Sequence, residues 1–182
     1  MVKKILIGVV AALALCVVGI LIAASTQPED FTVKRSTEIK APAVKAHALV
    51  ADLHAWDKWS PREKLDPAMK KTFSGAASGV GAVYEWTGNK DVGKGRMTIT
   101  AVDPGKNVKI KLEFLEPWTA TSDTEFTFAE AGETTKVEWT MSGKNTGVMA
   151  KTMSMMMNMD AMIGTDFEKG LAALKALAEK SI

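Results

Sequence analysis

Two histidines, His47 and His54, stand seven residues apart in a stretch that reads as one helix. That spacing puts them on one helical face but about 10 Å apart along the axis. A single metal ion, with bonds of about 2 Å, cannot bridge them. Asp57 follows His54 by one helical step and is placed to pair with it. Both read as surface or helix-edge histidines, and neither a metal nor a cofactor is expected. The single cysteine, Cys16, lies in the N-terminal apolar run. The rest of the chain therefore has no thiol nucleophile, and no disulfide can form within one chain. No serine sits in a nucleophile-elbow pattern. The glycines at 79, 81, 88, 93 and 95 lack the Gly-Lys-Ser/Thr that a phosphate loop carries into a helix, and they read as hairpin turns.

Two carboxylates remain as acid/base candidates. Glu85 lies between Tyr84 and Trp86, and Asp160 falls on an apolar helical seam between Met156 and Ile163. A carboxyl buried in an apolar cavity has a raised pKa and can move protons near neutral pH. The plainer alternative places Glu85 toward water and Asp160 at the edge of the seam, and it is the one preferred. Apolar side chains offer more. Trp59, Tyr84, Trp86, Phe114, Trp118, Phe126 and Trp139 are candidates for the wall of an apolar pocket, with core packing as the alternative for each. Seven of the eleven methionines fall between Met149 and Met162. From Met153 to Met159 they point in almost every direction around a helix, so one face packs inward and the other stays apolar. Methionine is flexible and polarizable. Met153, Met156 and Met157 are therefore candidate ligand contacts in an adaptable gate, or else part of a fully covered core.

The elements that position these residues follow from periodicity. Ile5 to Ala24 is a run of twenty residues without charge, enough for a helix of about 30 Å, the thickness of a bilayer core. Lys3 and Lys4 precede it, and Glu29 and Asp30 follow. The positive-inside rule then leaves the N-terminus in the cytoplasm and the remainder outside it. A cleaved signal peptide is the alternative, although its apolar part is expected to be shorter, about 7–15 residues. Residues 25–30 form a polar linker of at most about 20 Å, and 31–182 form one domain of ordinary size.

Within that domain Phe31–Ile39 alternates as a strand, and Pro42 opens a helix that should run to just before Ser60-Pro61. Six strands follow, at Lys71–Ser74, Ala82–Thr87, Gly95–Val102, Val108–Leu115, Ala120–Phe128 and Lys136–Ser142, separated by Gly, Pro, Asn and Asp turns. In Val108, Ile110, Leu112 and Phe114 the apolar side chains alternate with Lys109, Lys111 and Glu113, so one sheet face is buried and the other wet. Thr146–Lys180 reads as a long amphipathic helix. One curved antiparallel sheet around a long C-terminal helix, an α+β fold, satisfies this order and tends to leave an apolar space between the two. The net charge of +2 equals the contribution of Lys3 and Lys4, so the domain itself is neutral. Nucleic acid is not an expected partner, because binding it depends on neutralising phosphates.

The motifs Glu38-Ile-Lys-Ala-Pro42, Trp56-Asp-Lys-Trp59-Ser-Pro61, Tyr84-Glu-Trp86-Thr-Gly88, Gly93-Lys-Gly95 and Asp166-Phe-Glu-Lys-Gly-Leu171 occur in that order. Together they resemble the START-like, helix-grip (SRPBCC) superfamily, in its polyketide cyclase/dehydrase-like branch, over Phe31 to Glu179. The resemblance implies a cavity for lipids, sterols, polyketides or similar molecules. Some relatives are cyclases or hydrolases. Two positions depart from the family's pattern: Arg62 and His47 stand where aromatic residues are usual. The reading that follows is a membrane-anchored protein that binds or transports a hydrophobic small molecule or lipid. The alternatives are a cyclase- or hydratase-type enzyme using Glu85 or Asp160 in the same cavity, and a protein-interaction module built on the methionine-rich helix.

Overall fold

The computed structural model describes residues 2–26, 28–147, 150–152, 154 and 158–180, without the side chains of residues 4, 11, 17 and 159. Helix α1 spans Val2–Ser25. Its Ile5–Ser25 stretch of 21 residues is long and apolar enough to cross a membrane. Apolar side chains such as Ile5, Leu13 and Leu15 are exposed along it.

Strand β1 (Asp30–Ile39) leads into helix α2 (Ala43–Ala51). Six strands then follow: β2 (Lys70–Gly75), β3 (Ala82–Thr87), β4 (Lys94–Asp103), β5 (Asn107–Glu116), β6 (Ala120–Ala131) and β7 (Thr134–Lys144). They form one antiparallel sheet in the order β1-β7-β6-β5-β4-β3-β2. Consecutive hairpins fill the sheet from β2 to β7, and β1 closes its far edge beside β7. Helix α3 (Met159–Glu179) lies along the inner face, where Phe167, Leu171, Leu174 and Ala178 are buried at helical spacing. This is the helix-grip architecture. Six of the strands lie within one to three residues of the positions that alternation gives, and β3 coincides.

Two local expectations are overturned. The helix from Pro42 does not run on to Ser60. Asp52 adopts an extended backbone, and its side chain accepts a hydrogen bond from the His54 backbone N–H at 2.9 Å. This local competition with helical bonding is usual for Asp. It ends α2 at Ala51, and the chain continues as a 3-10 turn, Leu53–Lys58. The two histidines therefore share no face. His47 is buried against the edge of Phe128, whereas His54 is exposed, stacked on Phe73 and paired with Asp52 rather than Asp57. The long C-terminal helix also has a fresh start at Asn158, whose side chain accepts from the Ala161 N–H at 2.9 Å, instead of running unbroken from Thr146.

Candidate ligand-binding cavity

The sheet's alternation sends Tyr84 and Trp86 of β3, Met97 of β4, Leu112 and Phe114 of β5, and Trp139 and Met141 of β7 toward the helix. Between these side chains and α3 lies a cavity of about 390 Å³, within the size range of small-molecule sites. Met162, Ile163 and Phe167 close it from the helix, and the loop Ser60–Glu63 closes one side.

Each sequence candidate can now be placed. Tyr84, Trp86, Phe114, Trp118 and Trp139 line the cavity. Trp59 and Phe126 do not. They are fully buried behind Trp139, stacked or edge-on against it, and they belong to the packed core. Met153, Met156 and Met157 lie outside the described residues; Met162, from the same tract, is on the cavity rim and about half exposed. Glu85 points to the wet face of the sheet, opposite Arg96. Asp160 is on the surface, gripped by the Arg35 guanidinium at 2.9 Å and 3.0 Å. That pairing holds its carboxyl below the usual carboxylate range, the reverse of the rise that acid/base work at neutral pH would need. Neither carboxylate lines the cavity.

The polar groups that do reach the wall come from a segment that the search for chemistry passed over. Residues Pro61–Lys64 form a second 3-10 turn. Glu63, whose side chain is nearly buried, accepts a hydrogen bond from the Tyr84 hydroxyl at 2.7 Å. It also pairs with Lys71, which donates to Asp57 at 2.6 Å. Burial raises the Tyr84 pKa, and the adjacent Glu63 carboxylate raises it further. Arg62 enters from the same turn. Its guanidinium sits 5.5 Å from the centroid of the Phe114 ring, a cation–π arrangement. Arg62 is exposed at the rim of the cavity; the protein atoms around its guanidinium lower its pKa by desolvation, and Asp166 opposes that. Two more polar atoms, Thr124 Oγ1 and Trp139 Nε1, are buried in the wall without a hydrogen-bond partner among the described residues. Both are sealed from the open space. The departure from the family pattern at Arg62 was the one signal in the sequence that pointed to this corner.

Arg62, Trp118, Ala120, Thr121, Lys144 and Met162 are the exposed members of the lining and mark the mouth. Phe31 and Asn145 border the same end, where the Asn145 N–H donates to the Glu29 carbonyl at 2.7 Å. The mouth thus lies where the chain enters from α1, four residues after its last helical residue.

No curated protein matches the chain in sequence. Solved structures match in fold. A di-domain aromatase/cyclase, StfQ, from the steffimycin biosynthetic pathway superposes with a TM-score of 0.64 at 11% identity, covering 84% of this chain and 52% of its own. Protein MLL2253 from Mesorhizobium loti gives 0.61 at 17% identity, covering 84% of this chain and 99% of its own. Ara h 8.0201 gives 0.57 at 13% identity, covering 82% and 97%. Residues 30–179 match the family described as polyketide cyclase / dehydrase and lipid transport, so this chain belongs to that family, within the START-like (SRPBCC) superfamily.

Proposed function

We propose that the domain binds a hydrophobic small molecule or lipid in the cavity between sheet and helix, and that α1 holds it at a membrane. The observation that carries this reading is the cavity itself, walled by Tyr84, Trp86, Phe114, Trp118 and Trp139 and by methionines. Such a wall removes apolar surface from water with few polar atoms to desolvate. The anchor reading rests on the 21-residue apolar stretch and on the short connection from it to the cavity mouth. With Lys3 and Lys4 on one side and Glu29 and Asp30 on the other, the domain is extracytoplasmic. A tether this short keeps the mouth near the bilayer, where apolar molecules are concentrated.

Native mass spectrometry of the full chain, released from detergent micelles, tests the binding. A co-purifying or added fatty acid or sterol should appear as a bound mass. Leu112→Trp, which fills the cavity from β5, should remove it. A wild-type protein that carries no adduct and takes up neither class of ligand would refute the reading. Membrane fractionation with N-terminal sequencing tests the anchor: a mature chain starting near Ser25 would refute it.

A further inference from the structure

The geometry points to an anionic head on the cavity's ligand: an apolar molecule carrying a carboxylate or phosphate that Arg62 holds. This rests on the binding function proposed above and specifies its ligand class. Three arginines occur in the chain, and two are fully committed. Arg35 holds Asp160 and Glu168, and Arg96 holds Glu113 with two hydrogen bonds. Arg62 differs from both in having no carboxylate partner, not in burial: its side chain is exposed at the rim of the cavity. It reaches the cavity, where its described contact is the face of Phe114, and no carboxylate lies within ion-pair distance among the described residues. Neither neighbouring anion forms an ion pair with Arg62. Glu63 is taken by Tyr84 and Lys71, and Asp166 lies 3.9 Å from Lys169.

A guanidinium presents a planar fork of donors that matches two oxygens of a carboxylate or phosphate. Arg62 has no anion within ion-pair distance among the described residues and stands beside an apolar wall, so a ligand's anionic head would find this fork unoccupied. The guanidinium carbon lies over the Phe114 ring face, and its N–H groups have no acceptor among the described residues. The aromatic and methionine wall beyond Phe114 then receives the apolar part of the same molecule. Asp166, also on the cavity lining, acts as the internal competitor: it attracts Arg62 through space without touching it. A ligand anion must outbid it.

The test uses the full chain in phosphatidylcholine nanodiscs and two probes that differ in the head alone, decanoate and decanol. Titration calorimetry at neutral pH, with empty nanodiscs as the blank, gives their affinities. Decanoate should bind about tenfold or more tighter than decanol, the size of one charge-assisted hydrogen-bonded contact. Arg62→Met should abolish that preference and leave decanol binding within about threefold. Asp166→Asn should strengthen decanoate binding and not decanol binding. Equal affinities for the two probes in the wild type, or a preference that survives Arg62→Met, would overturn the anionic head while leaving the cavity as a ligand site. If Arg62→Met loses both probes through misfolding, Asp166→Asn decides, and an unchanged preference there overturns the proposal. A wild type that binds neither probe would remove the binding function itself.

Discussion

The indole of Trp139 lies flat on the ring of Phe167, with 3.9 Å between centroids and 8° between planes. Its other face stacks on Phe126, 4.7 Å away. One residue of β7 thus joins the sheet to helix α3 and also forms part of the cavity wall. Trp139→Ala would remove both stacks. It should cost about 3–5 kcal/mol of stability, the range for a large buried aromatic. Denaturant unfolding with an unchanged m-value is the measurement. A loss below about 1 kcal/mol would mean that the helix is held in place without this contact.

Gly170 tests the same joint from the helix side. Alanine in a helix interior normally stabilises by about 1 kcal/mol over glycine. Here an added Cβ would meet the Trp139 ring at 2.8 Å and the Pro61 ring at 3.2 Å. The Trp139 ring cannot swing away, because it is stacked on both Phe126 and Phe167. Overpacking of this kind costs about 1–3 kcal/mol, so the close contact outweighs the propensity. Gly170→Ala should lower the melting temperature. A rise would show that the helix can move off the sheet at no cost.

Tyr84 is the chain's single tyrosine, so ultraviolet titration of phenolate reports on it alone. It is buried and donates to the Glu63 carboxylate. Burial first, and the neighbouring negative charge second, push its pKa well above the ordinary value, which is about 10. The folded protein holds this proton at pH values where an unfolded chain releases it. Stability from this group is therefore fully present below pH of about 10 and declines as pH rises above it. Phenolate should appear only with alkaline unfolding, followed in parallel by circular dichroism. A reversible titration near pH 10 in a still-folded protein would place Tyr84 in solvent.

The parts of this fold that periodicity governs could be read directly. Val108 and Ile110 alternate with lysines because β5 has one dry and one wet face, and both are buried as the pattern requires. Alternation cannot say which of two apolar side chains in one face meets a neighbour and which meets empty space. Trp59 and Trp139 look equivalent in sequence, yet one is sealed in the core and the other borders the cavity. The break in α2 was hidden for another reason. Asp52 is compatible with a helix by spacing, and only its side-chain bond to the His54 N–H reveals a turn. Arg62 was visible as a departure from the family pattern, but its relation to Phe114 depends on β5 lying opposite the 3-10 turn, a non-local fact.

Gly95 gives the last prediction, because it shows how the cavity wall is kept in place. It pairs with Trp86 across β3 and β4, and the Trp86 indole lies over it. A Cβ at this position would meet the Trp86 ring at 2.3 Å and 2.5 Å, and the Glu113 carbonyl oxygen at 2.6 Å. The last of these is backbone, so the strand pair itself would have to shift. The β4–β5 register shifts between Lys94 and Gly95, as at a strand bulge. The Trp86 Nε1–H donates to the Val92 carbonyl at 3.0 Å, which pins the edge of the indole next to Cζ2. Rotating the indole to admit a methyl group would break that bond. Gly95→Ala should therefore destabilise the domain by at least the 1–3 kcal/mol or so of ordinary overpacking. Where the domain still folds, Trp86 must leave its place in the wall, and uptake of a bound fatty acid should fall with it. Trp86→Phe, which shortens the ring and removes the bond to Val92, should restore stability when combined with Gly95→Ala. A double variant no more stable than Gly95→Ala alone would assign the cost to the Glu113 backbone instead of the indole.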